Sequence, residues 1–242
     1  MQTILLKQTD GLSAALDIPH GITSIVGGGG KTTLMLRLAR ELSESGARVI
    51  VTTTTHIFPP EGIAALANAA MPEIETTLER ERLLCLGTPC GDGKLAAPDI
   101  PMEKLAELAD HVLVEADGAK RLPLKAPANH EPVIPAQTKL VVAVAGMDGL
   151  GKKIGEAAFR PALYAALLGE NEEHRLTASD LAYVLVHENG QRKGVQAGIR
   201  FCIVLNKADD EERTRAALEV ALQVQQTKVE RIIITALGNS NE

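Results

Sequence analysis

Apolar and polar positions along the chain change period in a regular order. Residues 22–26 are a short β-branched run that stops at Gly27, Gly28, Gly29 and Gly30. From there Leu34, Leu38 and Leu42 recur at intervals of four with Met35 and Ala39 beside them, while Arg37, Arg40, Glu41 and Glu44 take the opposite side. A strand-like run followed across glycines by helical spacing predicts strand, loop and half-buried helix. Gly46 ends that helix, and residues 48–52 form the next strand, so the first unit is a right-handed βαβ crossover. Further along, a weakly amphipathic helix is expected over residues 60–82 and a short strand over 83–87. A turn at Pro89, Cys90, Gly91, Asp92 and Gly93 then makes 83–97 a hairpin-like excursion. A helix over 101–109 carries Pro101 in its first turn. Residues 111–115 read as a strand, and the fully apolar run 139–146 suits the sheet centre. A helical region spans 159–168, and the S/T-x-x-D spacing of Thr177 and Asp180 predicts a capped helix that runs to Gly190. Residues 199–205 and 231–235 supply the last strands. Residues 1–19 read as an N-terminal extension with an edge strand over 3–7 and a short helix. Together these predict one domain over 1–242, a doubly wound α/β fold whose mostly parallel sheet carries helices on both faces.

Composition narrows the choice of partners. The chain has 31 acidic and 25 basic residues and a formal charge of -6, which opposes non-specific binding to nucleic acid or to anionic membrane. Its longest purely apolar run, residues 140–145, is far short of a membrane span, and no basic-then-apolar leader with a cleavage site opens the sequence. A cytoplasmic protein is expected. Cys85, Cys90 and Cys202 suit a reducing compartment, Cys202 as a small core residue in a strand. Cys85 and Cys90 have a spacing open to a metal or a redox pair, without nearby histidine partners.

The glycine run carries the first candidate chemistry. Consecutive glycines bring backbone N–H groups close to an anion, and a helix that starts at their end adds free N–H groups and a positive dipole end. Gly27, Gly28, Gly29, Gly30, Lys31, Thr32 and Thr33 therefore form a candidate phosphate loop, with Lys31 reaching the terminal phosphates and the Thr32 hydroxyl ligating Mg²⁺. Ile25 stands where the usual G-x-x-x-x-G-K-[ST] pattern needs its first glycine, so this loop starts at Gly27 and is the shorter G-x-x-G-K-T. The following strand ends in Thr52, Thr53, Thr54, Thr55 and His56, at the sheet edge where ligands gather in open α/β folds. The threonines serve either the phosphates or their own strand end, and His56 is a candidate ligand or an ordinary surface histidine.

The strand over 111–115 closes on Glu115, Asp117 and Gly118. An acid here, beside a phosphate loop, would hold Mg²⁺ and its water, so Thr32, Glu115 and Asp117 form the expected metal set. The segment 118–135 that follows is long, rich in proline and basic. Lys120, Arg121 and Lys125 are candidates to neutralise a phosphate or a second anionic substrate, and His130 and Glu131 to transfer protons. Lys31, Glu115, Asp117, Lys125 and Glu131 make up the expected catalytic group. Residues 149–153 lack a hydroxyl residue after lysine and are not a second phosphate loop. After the strand over 199–205 comes Asn206-Lys207-Ala208-Asp209, the N-K-x-D pattern of GTP-binding proteins, in which the aspartate accepts from guanine N1 and N2 and the lysine stem packs on the base. Thr235-Ala236-Leu237 stands where such proteins carry a short S/T-A-x loop.

The compact glycine loop resembles those of the amino-acid ligases that build cell-wall peptides. G-x-x-G-K-T-T, the E-x-x-G of Glu115 and Gly118, and N-K-A-D resemble the metallochaperone branch of P-loop GTPases. V-G-G-G-G-K-T-T, V-T-T-T-T-H, V-E-A-D-G-A-K-R-L-P-L-K-A-P-A-N-H-E-P-V-I-P and L-N-K-A-D are more closely similar to the selenium-dependent hydroxylase accessory family (YqeC-like), from about residue 21 to 236. Phe159-Arg160-Pro161 departs from the His-Arg-Pro expected of that family. The resemblance implies a P-loop NTPase-like fold and a helper in the maturation of molybdenum hydroxylases that need selenium, with a hydroxylase or its cofactor machinery as partner. The expected function is Mg²⁺-dependent binding and hydrolysis of a nucleoside triphosphate, GTP or ATP, with GTP favoured. The alternatives are an ATP-dependent ligase or kinase acting on a small acceptor, and a nucleotide-gated carrier with little turnover.

Overall fold

Alternation along each strand sorts the side chains onto two faces of a single large sheet. The computed structural model describes residues 1–7 and 9–238. In chain order the elements are β1 (Gln2–Leu5), α1 (Leu12–Leu16), β2 (Gly21–Gly27), α2 (Lys31–Glu44), β3 (Val49–Thr53), β4 (His56–Ile57), β5 (Ala64–Ala67), α3 (Met71–Glu81), β6 (Leu83–Pro89), β7 (Leu95–Ala96), α4 (Met102–Leu108) and β8 (His111–Glu115). They continue with β9 (Leu124–Lys125), β10 (Thr138–Gly146), a 3₁₀ turn, α5 (Ile154–Ala157), β11 (Ala158–Phe159), α6 (Pro161–Leu168), α7 (Ala178–Val186), β12 (Arg200–Asn206), α8 (Glu211–Gln223) and β13 (Arg231–Ile234).

The sheet runs β1-β13-β12-β10-β2-β8-β3-β6-β7-β4, with β5 also on β6. Every pairing is parallel except those of β7 with β6 and β4. On one face, Ile25, Val51, Leu113, Val142 and Val204 pack against α1 and α2. On the other, Ile50, Val112 and Val114 meet α3 and α4, and Val141, Ala143, Phe201 and Ile203 meet α5 to α8. The doubly wound expectation therefore holds.

Several local expectations change. The first half of residues 60–82 is not helical: Ala64–Ala67 is a strand along β6, and helix begins only at Met71. Alanine-rich residues with exposed alternate positions take the available sheet edge, a tertiary effect stronger than their helix propensity. The N-terminal segment does form the expected edge strand and short helix, and both are built into the fold: β1 pairs with β13, and Leu12 and Leu16 are fully buried. The crossover from β2 through α2 passes over β8, which lies between β2 and β3. This places the acid-bearing strand directly beside the glycine loop. Helix α7 stops at Val186, short of Gly190. The excursion over 83–97 is a hairpin, with Thr88 opposite Ala96 and Pro89 opposite Leu95.

Candidate functional site

The glycine loop is shaped by close backbone approaches. A Cβ on Gly29 would lie 2.1 Å from the Gly146 nitrogen and one on Gly30 2.4 Å from Asn206 Nδ2, and both have positive φ, so only glycine fits. Two loop amides are already engaged: the Gly28 N–H donates to the Val144 carbonyl at 2.9 Å and that of Gly29 to the Leu122 carbonyl at 3.0 Å. Among the described residues, the N–H groups of Gly30, Lys31, Thr32 and Thr33 meet no protein acceptor. Four open donors at the start of a 14-residue helix make a ready anion site. Lys31 is folded back under them, with Nζ donating to the Gly27 carbonyl at 2.6 Å and lying 3.2 Å from Asp117 Oδ1.

Both acids of the neighbouring strand reach this loop. Glu115, paired in register with Ile25, accepts from the Thr32 hydroxyl at 3.1 Å. Burial pushes its carboxyl up, only partly offset by the Lys31 charge and the Thr32 hydroxyl. Asp117 Oδ2 accepts from the Gly27 N–H at 3.1 Å and lies 2.9 Å from Lys125 Nζ, while its buried Oδ1 makes no hydrogen bond. Thr32 and Glu115 offer hard oxygens side by side, and a buried carboxyl that ionises reluctantly is relieved by a cation. That donor set fits Mg²⁺, which takes few protein ligands and completes its shell with water and phosphate. Asp117, held by two lysines and an amide, stands behind this pair. Among the described residues no group of three or more His, Cys, Asp or Glu side chains could hold a metal by itself.

Lys125 and Glu131 are brought together, but against each other. Wholly buried, Lys125 Nζ lies 2.6 Å from Glu131 Oε2 and donates to the Gly118 carbonyl at 2.6 Å, while Gln191 Nε2 donates to the Lys125 carbonyl at 2.6 Å. Arg160 holds Glu131 with both guanidinium arms, Nη2 donating to Oε1 at 3.0 Å and Nη1 to Oε2. Burial raises the Glu131 carboxyl, but the hydrogen bonds and charges of Arg160 and Lys125 outweigh it and bring it to about 2. Such a group stays ionised at neutral pH and does not shuttle protons there. His130 is exposed and 4.0 Å from Glu131. The result is an alternating chain of charge from Lys31 through Asp117, Lys125 and Glu131 to Arg160. Arg160 and Gln191 were not legible as site residues; the only sequence signal was the Phe159-Arg160-Pro161 step.

The N-K-A-D segment closes the other side. Asn206 Nδ2 donates to the Gly29 carbonyl at 2.8 Å and its Oδ1 accepts from the Leu237 N–H at 3.0 Å. Lys207, at φ 61, donates to Asp148 Oδ2 at 2.9 Å. The Ala208 N–H donates to the Thr235 carbonyl at 3.1 Å, so the Thr235-Ala236-Leu237 loop is docked on this segment. Asp209 is exposed and accepts from Arg213 at 3.0 Å, at the rim of a shallow depression that Thr214 and Leu218 also line. Asp148 was missed, although an Asp-Gly step at the carboxyl end of a central strand is a usable signal.

Other candidates fall away from this corner. Thr52, Thr53 and Thr54 donate to the carbonyls of Leu86, Glu115 and Val133, which makes them strand-end satisfiers. His56 is exposed on β4. Cys85 lies in the core, its thiol pushed up to about 12 by burial, whereas Cys90 is exposed at the hairpin tip. The arrangement of these two gives no support to a metal or redox pair.

Fold and site together define an α/β protein of P-loop NTPase-like architecture, with its glycine loop, acidic strand and N-K-A-D segment at one end of a parallel sheet. The chain belongs to the YqeC protein family: that family's model matches residues 23–162. It is 34% identical over 219 residues to a protein of Escherichia coli (strain K12) described as uncharacterized protein YqeC, an alignment covering 87% of this chain and 85% of that protein. Among the described residues, no helix is long and apolar enough to cross a membrane.

Proposed function

We propose that this protein binds and hydrolyses a nucleoside triphosphate, GTP in preference to ATP, with Mg²⁺. The observation that carries this reading is Asn206, whose one amide bonds both the glycine loop at Gly29 and the loop at Leu237. Three segments far apart in sequence are thereby tied together, which supports reading them as parts of one nucleotide site. The open amides of Gly30, Lys31, Thr32 and Thr33 receive phosphate oxygens, and Lys31 exchanges Asp117 for a phosphate. Thr32 and Glu115 hold Mg²⁺, which when bound neutralises charge on the terminal phosphates. With Lys31 turned to the phosphate, Asp117 Oδ1, which in this structure faces only that ammonium, is open to accept a hydrogen bond from water. Asp209 accepts from guanine N1 and N2, positions at which adenine offers no donor. Following the family resemblance, the reaction serves maturation of a selenium-dependent molybdenum hydroxylase, with that enzyme or its cofactor machinery as partner.

Calorimetric titration of wild type and Asp209→Ala with Mg·GTP and Mg·ATP tests this. GTP should bind more tightly, and Asp209→Ala should lose about tenfold or more for GTP with ATP unchanged. Tighter ATP binding, with turnover that needs a second small substrate, would select ligase or kinase chemistry instead.

A further inference from the structure

Lys120 and Arg121 stand apart from the balanced ion chain. Lys31, Lys125 and Arg160 each face a carboxylate, whereas these two exposed cations have no carboxylate partner among the described residues. Lys120 Nζ rests over the Phe159 ring, 5.5 Å from its centroid. Their backbone is unusual as well. The Leu122 N–H donates to the Ala119 carbonyl at 3.0 Å, so Lys120 and Arg121 are the central pair of a tight turn, with φ of 46° and 63°. Positive φ at both central positions is the type I′ pattern, which strongly favours Asn-Gly; two long cationic side chains there are strained.

The turn is also fixed at the rim of the glycine loop. Leu122, next to Arg121 and so about 3.8 Å away along the chain, accepts the Gly29 N–H through its carbonyl, and Pro123 accepts that of Gly146 at 3.0 Å. On its other side the Gly118 carbonyl is held by Lys125. The groups that hold it on the two sides, Gly29 and Lys125, are buried, so the tip has little freedom to swing away. Strain, excess positive charge and fixation beside the open amides converge on one use.

We infer that Arg121, seconded by Lys120, contacts the terminal phosphate of the bound nucleotide and gives the site its discrimination between triphosphate and diphosphate. A planar guanidinium matches two phosphate oxygens at once and carries its charge at every working pH. The inference rests on the nucleotide reading above and adds the residue that senses the last phosphate.

The test compares Mg·GDP with Mg²⁺ and a GTP analogue whose β–γ bridge cannot be hydrolysed, titrated into wild type, Arg121→Ala, Arg121→Lys and the double variant Lys120→Asn/Arg121→Gly. The ratio of triphosphate to diphosphate affinity should fall roughly 10- to 100-fold in Arg121→Ala, with Arg121→Lys intermediate. The double variant should lose the same discrimination while its Tm rises by roughly 4 °C or more, because Asn-Gly relieves the turn. An unchanged ratio in Arg121→Ala and in the double variant would overturn the inference and leave nucleotide binding intact. A wild-type protein that binds neither nucleotide would remove the nucleotide reading itself.

Discussion

At Glu115 burial and the proposed Mg²⁺ role pull in opposite directions. Burial raises its carboxyl, so in the nucleotide-free protein it ionises at a higher pH than a free glutamate. If Glu115 holds Mg²⁺ it does so ionised, so binding of Mg·nucleotide should release a proton at pH values where the nucleotide-free carboxyl is still protonated, and none well above them. Titration in buffers of different ionisation enthalpy measures this, and Glu115→Gln should abolish the release. Glu131 shows the opposite shift. With its carboxyl at about 2 against an ordinary 4.5, its stabilising contribution is complete above about 4.5 and drains as pH falls toward 2. The acid limb of the unfolding curve should therefore flatten in Glu131→Gln. Lys125, wholly buried between Asp117 and Glu131, is the most costly of these residues to remove. Lys125→Ala leaves two buried carboxylates short of a cation and should cost about 3–5 kcal/mol by urea unfolding. A loss under 1 kcal/mol would mean that water takes the lysine's place.

Among the elements, α7 has the clearest start signal in the chain. Thr177 Oγ1 accepts from the Asp180 N–H at 3.2 Å, and Asp180 Oδ2 accepts from the Thr177 N–H at 2.9 Å. Thr177→Ala should lower stability by about 1 kcal/mol, seen as a Tm drop of roughly 2–4 °C. This capping box was legible because its chemistry is local: two residues at fixed spacing carry the whole signal. Helix α2 and its glycine loop were legible for the same reason. The stretch 60–82 was not, since the strand at Ala64–Ala67 exists only because β6 offers it an edge. Lys125 and Glu131 were picked out as chemically active by residue type, yet their partner Arg160 lies 29 positions beyond Glu131 and was invisible to spacing.

Across the whole molecule, sheet order assembles the site. With β8 inserted between β2 and β3, and β10 and β12 on the other side of β2, the carboxyl ends of neighbouring strands deliver Glu115, the glycine loop and Asn206 to one corner. β-Branched and apolar runs predicted the strands, but no local pattern encodes which strand lies beside which. The long segment 118–135 is where this matters most. It leaves the acidic strand, lays the Leu122 and Pro123 carbonyls against the glycine loop, and returns through the buried Lys125. Isothermal titration of Mg·GTP into wild type and Lys31→Ala is the most direct test of an account that rests on phosphate binding at the start of α2. Saturable one-site binding to wild type, lost in Lys31→Ala, is the predicted result; equal affinity for the two proteins, or no binding to wild type, would contradict it.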